Sequence, residues 1–225
     1  MSIAFYRNRL NREMKRFGKF SKAITQNLME IQPINIIYNP YKQKCLDEMS
    51  MHETVIIITH GGPEEIYHKY DFKNKQHQVL LNKENISLLE GKKIISISCA
   101  TGRIFGKEAW ETGKCKVFLG FHSKIHFDKK NKSEVTKSYR NFIGSCYKDV
   151  FGFVIEQSIL NNWSFDKIKT VLGIELRNTV ISRALSLRNE RPQHYVNIGL
   201  DQAIFAVTNL SNNIVIYGDA REKII

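Results

Sequence analysis

The hydrophobic positions along the chain follow two patterns. Short runs rich in Ile and other β-formers are typical of buried strands, and they cover residues 31–38, 55–59, 94–98 and 117–121. Longer stretches repeat apolar residues at the spacing of a helix face, and they cover residues 134–160 and 164–188. Strands that alternate with helices predict a three-layer α/β/α domain with a mostly parallel sheet in the middle.

Shorter segments connect these elements. We predict short helices at residues 41–50, 82–89 and 106–112, and a hairpin or a flap at residues 64–81. The helix at 106–112 is expected to place Trp110 against the sheet.

The two ends of the chain complete the prediction. Residues 4–30 repeat apolar side chains at helical spacing, so we describe residues 1–30 as a basic N-terminal helical segment and residues 31–225 as the α/β domain. Near the other end, residues 202–208 and 213–217 predict two strands joined by a tight turn.

A reactive side chain follows each of two predicted strands. His60 comes directly after the run 55–59, Cys99 directly after the run 94–98, and glycine follows each within three residues. A lone Cys is usually a small buried hydrophobe and a lone His is usually surface, but the pair in matching contexts is informative. Because sites in parallel α/β sheets form beyond the carboxyl ends of strands, we expect imidazole and thiol at one edge.

The order of these pieces resembles that of the caspase-like cysteine peptidases, the group of caspases, gingipains, legumains, separases and CHAT domains. In that group one apolar strand ends in His-Gly and a second ends in the nucleophilic Cys. The matching residues are His60-Gly61 and Ser98-Cys99-Ala100-Thr101-Gly102. Residues 113–120 resemble the next strand of that fold, and residues 214–219 resemble the closing strand and Gly-Asp of the gingipain and CHAT branches, so the resemblance covers residues 31–225.

The resemblance implies a cysteine endopeptidase that cleaves a protein substrate in a regulated bacterial response such as defence signalling. It implies Cys99 as the nucleophile, His60 as the proton donor to the leaving amine, and the backbone N–H groups of Gly61 and Cys99 as the oxyanion hole. It also implies that the loop after 117–121 lines the substrate pocket. The predicted pocket residues are His122, Ser123, Lys124 and Asp128.

One position departs from a branch of this group. Metacaspases carry an Asp two residues before the nucleophile to bind a basic substrate residue, and this chain has Ile97 there. We therefore expect an aliphatic or small polar residue before the cleaved bond rather than Arg or Lys.

The charge of the chain adds a possible partner. The net charge is +12, which favours acidic partners. Seven basic side chains lie within residues 7–22. We interpret them either as the solvated face of a covering helix or as a docking arm for an acidic protein or nucleic-acid-bearing complex that activates or delivers the enzyme.

Cysteine usage and hydropathy restrict the environment and the cofactors. The four cysteines, Cys45, Cys99, Cys115 and Cys146, form no Cys-x-x-Cys pair, which argues against a zinc ribbon and a disulfide framework. We expect no metal and no other cofactor. No apolar run approaches the ~20 residues of a membrane span, and no signal-type segment is visible, so we expect a cytoplasmic protein.

Two other hypotheses remain open. A non-catalytic basic α/β binding protein would use the same charge to hold nucleic acid or an acidic partner, although the sequence has no aromatic–basic RNA-binding signature. A catalytically inactive caspase-like scaffold is the third hypothesis, and the presence of both His60 and Cys99 argues against it.

Overall fold

A computed structural model describes residues 2–71, 76–127 and 137–225. The strands are Ile3–Arg7 (β1), Ile34–Ile37 (β2), Thr54–Ile58 (β3), Ile66–Asp71 (β4), Gln76–Leu81 (β5), Lys93–Ile97 (β6), Val117–Phe121 (β7) and Ile214–Gly218 (β8). The helices are Arg12–Phe17 (α1), Phe20–Leu28 (α2), Lys42–Ser50 (α3), Phe105–Glu111 (α4), Lys137–Leu160 (α5), Phe165–Glu190 (α6), Pro192–Ile198 (α7) and Leu200–Asn212 (α8). A 3₁₀ turn covers Ile86–Leu89.

The strands form a six-stranded sheet in the order β2-β1-β3-β6-β7-β8. Its first five strands are parallel, and β8 runs antiparallel to β7. Strands β4 and β5 form a separate two-stranded hairpin between β3 and β6 along the chain. The predicted three-layer α/β architecture with a mostly parallel sheet is therefore confirmed, as is the hairpin within residues 64–81.

Alternation along the strands produces two cores. In β3, Ile56 and Ile58 join the core covered by α1, α2 and α5–α8, whereas Val55 and Ile57 join the core covered by α3, α4 and the hairpin. All four side chains are fully buried, because successive residues of a strand point to opposite faces. Each such burial contributes about 1.5–3 kcal/mol, so a central strand made almost wholly of isoleucine stabilises both layers.

The chain begins with a strand, and here the prediction of a helix over residues 4–30 is wrong. Strand β1 lies between β2 and β3 inside the sheet, and all five of its residues are buried. A central position needs apolar side chains on both faces, and the contiguous Ile3-Ala4-Phe5-Tyr6 supplies them. The helical spacing holds further on, where Asn11 caps α1 by accepting from the backbone N–H groups of Glu13 and Met14.

Three further expectations are corrected. Residues 202–208 lie in α8 and not in a strand. Ala203, Val207 and Leu210 recur at helical spacing and are fully buried. Ser211 and Asn212, where a tight turn was expected, are the last residues of that helix. The expected helix at 82–89 is a single 3₁₀ turn. Trp110 is 43% exposed rather than packed on the sheet. The charged loop that starts at Asp128 lies outside the described residues.

Among the described residues, no helix combines the length and hydrophobicity that crossing a bilayer would require.

Gly218 lies at the end of β8, and its backbone geometry leads to a testable prediction. Its φ is +92°, and a Cβ there would collide with the carbonyl oxygen of Lys116. We expect Gly218→Ala to lower the free energy of unfolding by about 2–5 kcal/mol, since a left-handed backbone penalty adds to a steric one. Gly91→Ala is the matched control, because Gly91 has φ +69° and open space around it. It should cost about 1–2 kcal/mol. Urea denaturation of both variants measures the loss in the free energy of unfolding. Equal losses in the two variants would contradict the predicted steric clash at Gly218.

Candidate active site

His60 and Cys99 lie at the same edge of the sheet, on neighbouring strands. Strands β3 and β6 pair in parallel, with Ile58 opposite Ile97. His60 and Cys99 each follow that last pair by two residues. Neighbouring strands are about 4.8 Å apart, so the backbones of the two residues occupy neighbouring positions at this edge.

Gly61 lets the two strand ends approach each other closely. A Cβ at this position would lie 2.7 Å from Thr101 Cγ2, 3.0 Å from Ser98 Cβ and 3.1 Å from the carbonyl oxygen of Cys99. These separations are shorter than ordinary van der Waals contacts, so a side chain would force the two loops apart. Glycine after His60 is therefore required for the packing of the His60 loop on the Cys99 turn.

The backbone around His60 is held by the hairpin and by α4. The carbonyl of His60 accepts from the N–H of Tyr67 at 3.0 Å, and Gly62 N–H donates to Glu65 at 2.9 Å. The carbonyl of Pro63 accepts from the N–H of Phe105 at 2.8 Å, at the start of α4. His60 is thus connected through a backbone hydrogen bond to the hairpin, and the loop that follows it is connected to α4.

A buried hydrogen-bond network fixes the end of β3. The Nδ2 of Asn8 donates to Thr59 Oγ1 at 2.7 Å and to the carbonyl of His68 at 2.8 Å. Thr59 Oγ1 in turn donates to the carbonyl of Tyr67 at 2.7 Å. The residue before His60 is therefore locked between β1 and the hairpin. Asn8 is 51 residues from Thr59, which is why no sequence pattern could reveal this contact.

The turn after β6 presents Cys99 in a strained local geometry. Ala100 has φ +58°, a left-handed conformation that costs an alanine about 1–2 kcal/mol. Its N–H donates to the carbonyl of Ser123 at 3.0 Å, and the N–H of Gly102 donates to Phe121 at 2.9 Å. These bonds tie the Cys99 turn to the end of β7.

The thiol of Cys99 packs under the segment that follows β7. The backbone N–H of Ile125 donates to Cys99 Sγ at 3.3 Å, and Sγ lies 3.8 Å from the carbonyl of the same residue. Burial raises the pKa of Cys99. The Ile125 hydrogen bond and the positive charge of Lys124 lower this pKa, whereas the carboxylate of Glu13 raises it.

Burial also keeps His60 neutral. The side chain is half-buried, its Nε2 is shielded from solvent, and this desolvation lowers the pKa of His60 to about 4. At neutral pH the imidazole is therefore uncharged. With the pKa of Cys99 raised, the resting site holds a neutral thiol and a neutral imidazole rather than a thiolate and an imidazolium.

The edge also carries polar groups that have no partner within the described residues. The backbone N–H groups of Gly61 and Cys99 donate to no acceptor there, and the shielded hydroxyls of Ser98 and Ser123 make no hydrogen bond there. Buried polar groups normally are paired, so this concentration beside the thiol indicates a place where a ligand can supply partners.

The predicted pocket residues divide into three groups. Ser123 and Lys124 lie beside the Cys99 turn, through the Ala100 hydrogen bond and through the charge that acts on the thiol. His122 turns towards β8 instead: its Nε2 lies 3.2 Å from the hydroxyl of Tyr217, which itself donates to the carbonyl of Gly102. Asp128 lies outside the described residues.

Two residues near the thiol were missed from the sequence. Tyr147 of α5 is fully buried, and its hydroxyl has no hydrogen-bond partner in the described part of the chain. Burial raises its pKa, with smaller contributions that include the charge of Cys99. Glu13 of α1 acts on the same thiol. Both belong to helix patterns that predicted core or surface, and nothing in those patterns indicated which strand end they would face.

The other cysteines are structural. Cys45, Cys115 and Cys146 are buried, and all four cysteines are free thiols. Burial raises the pKa of Cys115 to about 12. Within the described ranges, no cluster of three or more His, Cys, Asp or Glu side chains could hold a metal ion.

No protein-family model matches this chain, and no curated protein matches it.

The burial of His60 predicts an acid-sensitive contribution to stability. Because the pKa of His60 is about 4 in the folded state and about 6.5 when unfolded, the unfolded state binds the proton first as the pH falls. This contribution is present above pH 6.5 and is lost between about pH 6.5 and 4, by up to about 3 kcal/mol. Urea denaturation at pH 7.5 and pH 4.5 should show a smaller difference for His60→Gln than for the wild type.

The control for that experiment is His194→Gln, which removes an exposed histidine from α7. If His60→Gln and His194→Gln changed the pH dependence equally, the buried environment of His60 would not be its cause.

The environment of Cys99 predicts slow alkylation at neutral pH. Iodoacetamide reacts with the thiolate, so labelling should increase as the pH rises above the usual cysteine range, near 8.5. Lys124→Gln should slow labelling by about two- to fivefold at low salt, because a positive charge that stabilises the thiolate is lost. Mass spectrometry of the labelled peptide measures the rate, with Lys107→Gln on α4 as the control. Rapid labelling at pH 7 would contradict the raised pKa.

Proposed function

We propose that the protein is a cysteine endopeptidase in which Cys99 is the nucleophile and His60 the general acid–base. The observation that carries the proposal is the position of both residues just beyond the adjacent ends of parallel strands β3 and β6. Amide hydrolysis needs a nucleophile, a proton donor for the leaving amine and donors to the oxyanion. All three kinds of group are present at this edge.

The resting protonation states suit a reaction in which proton transfer accompanies attack. The neutral imidazole of His60 accepts the proton of the Cys99 thiol as sulfur bonds to the substrate carbonyl carbon. The developing oxyanion receives hydrogen bonds from the N–H groups of Gly61 and Cys99, which have no acceptor within the described residues. The imidazolium then protonates the leaving amine as the C–N bond breaks.

The second half of the cycle regenerates the enzyme. His60, neutral again, removes a proton from a water molecule that attacks the thioester carbonyl. The same N–H groups stabilise the second oxyanion, the C–S bond breaks, and the proton returns to sulfur through His60. A histidine with its pKa near 4 is unprotonated at the start of both halves.

The position of Ile125 suggests how a substrate reaches the thiol. Its backbone hydrogen-bonds Cys99 Sγ, and its side chain is buried. A substrate carbonyl needs that space, so binding requires the segment from His122 to Phe127 to shift. Ile125 and half-buried Phe127 then offer apolar surface, which favours an aliphatic or small polar residue before the cleaved bond. Glu13 is the carboxylate that a basic substrate residue would meet.

The proposal also includes a separate acidic partner. The exposed basic side chains on and around α1 and α2 are suited to dock a separate acidic partner that activates or delivers the enzyme. Recognition through charge, with cleavage in a distinct site, fits a protease of a regulated response such as defence signalling.

Cys99→Ala and His60→Ala test the chemistry. Each should reduce cleavage of a mixed-sequence peptide library by at least about 10³-fold, because either the nucleophile or the proton carrier is lost. New amino termini identified by mass spectrometry measure cleavage and also report the residue before the cut. Cys45→Ala and Cys115→Ala are controls that should retain activity, since both thiols belong to the buried core covered by α3, α4 and the hairpin.

Three outcomes would change this assignment. Undiminished cleavage by a folded Cys99→Ala protein would exclude it as the nucleophile and with it the proposed reaction. Strict selection for Arg or Lys that disappears in Glu13→Gln would retain the reaction but show that Glu13 determines the pocket's charge. An absence of cleavage and of Cys99 labelling by peptide-based thiol probes would favour the non-catalytic hypotheses.

A further inference from the structure

The fold brings two aromatic–basic pairs together beside the ends of β1 and β2. The guanidinium of Arg9 lies over the ring of Tyr38, 4.4 Å from its centroid. The ammonium of Lys44 lies 5.7 Å from the ring centroid of Tyr41. Tyr38 is 37% exposed and Tyr41 is 68% exposed. Large aromatic rings in these positions do not contribute to either hydrophobic core.

Further positive charge continues from Arg9 along the adjacent helices. Five basic side chains of this stretch are exposed, and they are Arg12, Lys15, Arg16, Lys19 and Lys22. Within residues 2–28 the acidic side chain is Glu13. We call these five residues, with Arg9, Tyr38, Tyr41 and Lys44, the basic strip.

The basic strip begins at the edge of the sheet that carries the candidate active site. Strands β2, β1, β3 and β6 are parallel to one another, so their carboxyl ends share one edge. Arg9 follows β1 by two residues, just as His60 follows β3 by two residues. Arg9 and the candidate active site therefore share one edge of the sheet.

We propose that the basic strip binds single-stranded nucleic acid. Lysine and arginine side chains would neutralise phosphates, and the exposed rings of Tyr41 and Tyr38 would stack on unpaired bases. Base–aromatic stacking combined with a positively charged track is how proteins hold single strands without reading their sequence. Arginine at a stacked ring adds a cation–π contribution.

The combination of groups distinguishes this ligand from the alternatives. An acidic protein would be attracted by the charges and could pack against the tyrosines, but it has no regular succession of phosphates and planar bases to match cations interspersed with aromatic rings. A double helix hides the faces of its bases, so it would bind through the charges alone. The tyrosines therefore favour a single strand over both.

The experiment uses the full chain carrying Cys99→Ala, so that its result is independent of any peptidase activity. Fluorescence anisotropy with a labelled oligothymidine of about 12 nucleotides measures binding over a range of salt concentrations. Affinity should fall steeply with salt, with a log–log slope near −0.7 for each neutralised phosphate. Replacing Arg9, Arg12, Arg16 and Lys19 with Gln should reduce both the affinity and the slope.

The tyrosines provide the sharper test. Tyr41→Ala should weaken binding by roughly fivefold or more, because stacking on one base is lost, whereas Tyr41→Phe should bind like the parent. Tyr41 is exposed and makes no side-chain capping bond to α3, so neither change should impair folding. The matched control is Lys167→Gln, which alters a similar pair, with the Lys167 ammonium 4.6 Å from the ring centroid of Trp163.

The remaining outcomes would overturn the proposal. Equal binding of Tyr41→Ala and its parent, or tighter binding of a duplex of the same length, would show electrostatic attraction without stacking. Preference for an acidic peptide over the oligonucleotide at equal charge would identify a protein-docking surface. Binding that is insensitive to salt and to the four Gln substitutions would show that the strip is only a solvated surface.

Discussion

The close approach of Gly61 to the Cys99 turn is the constraint on which the candidate site depends. The sheet alone brings two strand ends to within one inter-strand spacing, but a side chain at residue 61 would collide with Thr101, Ser98 and the Cys99 carbonyl. Without that side chain the His60 loop packs directly on the Cys99 turn. The geometry therefore follows from one missing methyl group together with the parallel register of β3 and β6.

Desolvation determines the protonation states of His60 and Cys99 in the resting site. It lowers the pKa of His60 and raises the pKa of Cys99, and the two shifts together oppose an imidazolium–thiolate pair. A buried neutral pair avoids the cost of burying two charges. The same environment would strengthen any hydrogen bond to a charge that develops during the proposed reaction. Rigid neighbours support this arrangement, since Thr59 and the carbonyl of His60 are both bonded to the hairpin.

The two edges of the sheet have different roles. At the amino ends, Lys93 is buried, and its Nζ donates to the carbonyl of Lys223 at 2.9 Å and lies 3.4 Å from Glu53. Thr54 Oγ1 donates to the carbonyl of Ile224 at 2.7 Å, and Ile224 itself is fully buried. These contacts close the amino edge with satisfied polar groups. The carboxyl edge instead carries exposed basic and aromatic side chains and the polar groups beside Cys99.

Local patterns in the sequence determined much of the secondary structure of this protein. Runs of isoleucine predict β3 and β6 because a strand between two helix layers needs apolar side chains on both faces, and the glycines after His60 and Cys99 mark both strand ends. Where the pattern was ambiguous, tertiary packing decided: β1 became a central strand, and residues 202–208 became part of a helix whose apolar face packs on α6. Contacts between distant residues also required the structure. Asn8 on Thr59, Ile125 on Cys99 and Arg9 on Tyr38 join separate stretches of chain, because hydrogen bonds, burial and stacking depend on distance in space, which periodicity along the sequence does not encode.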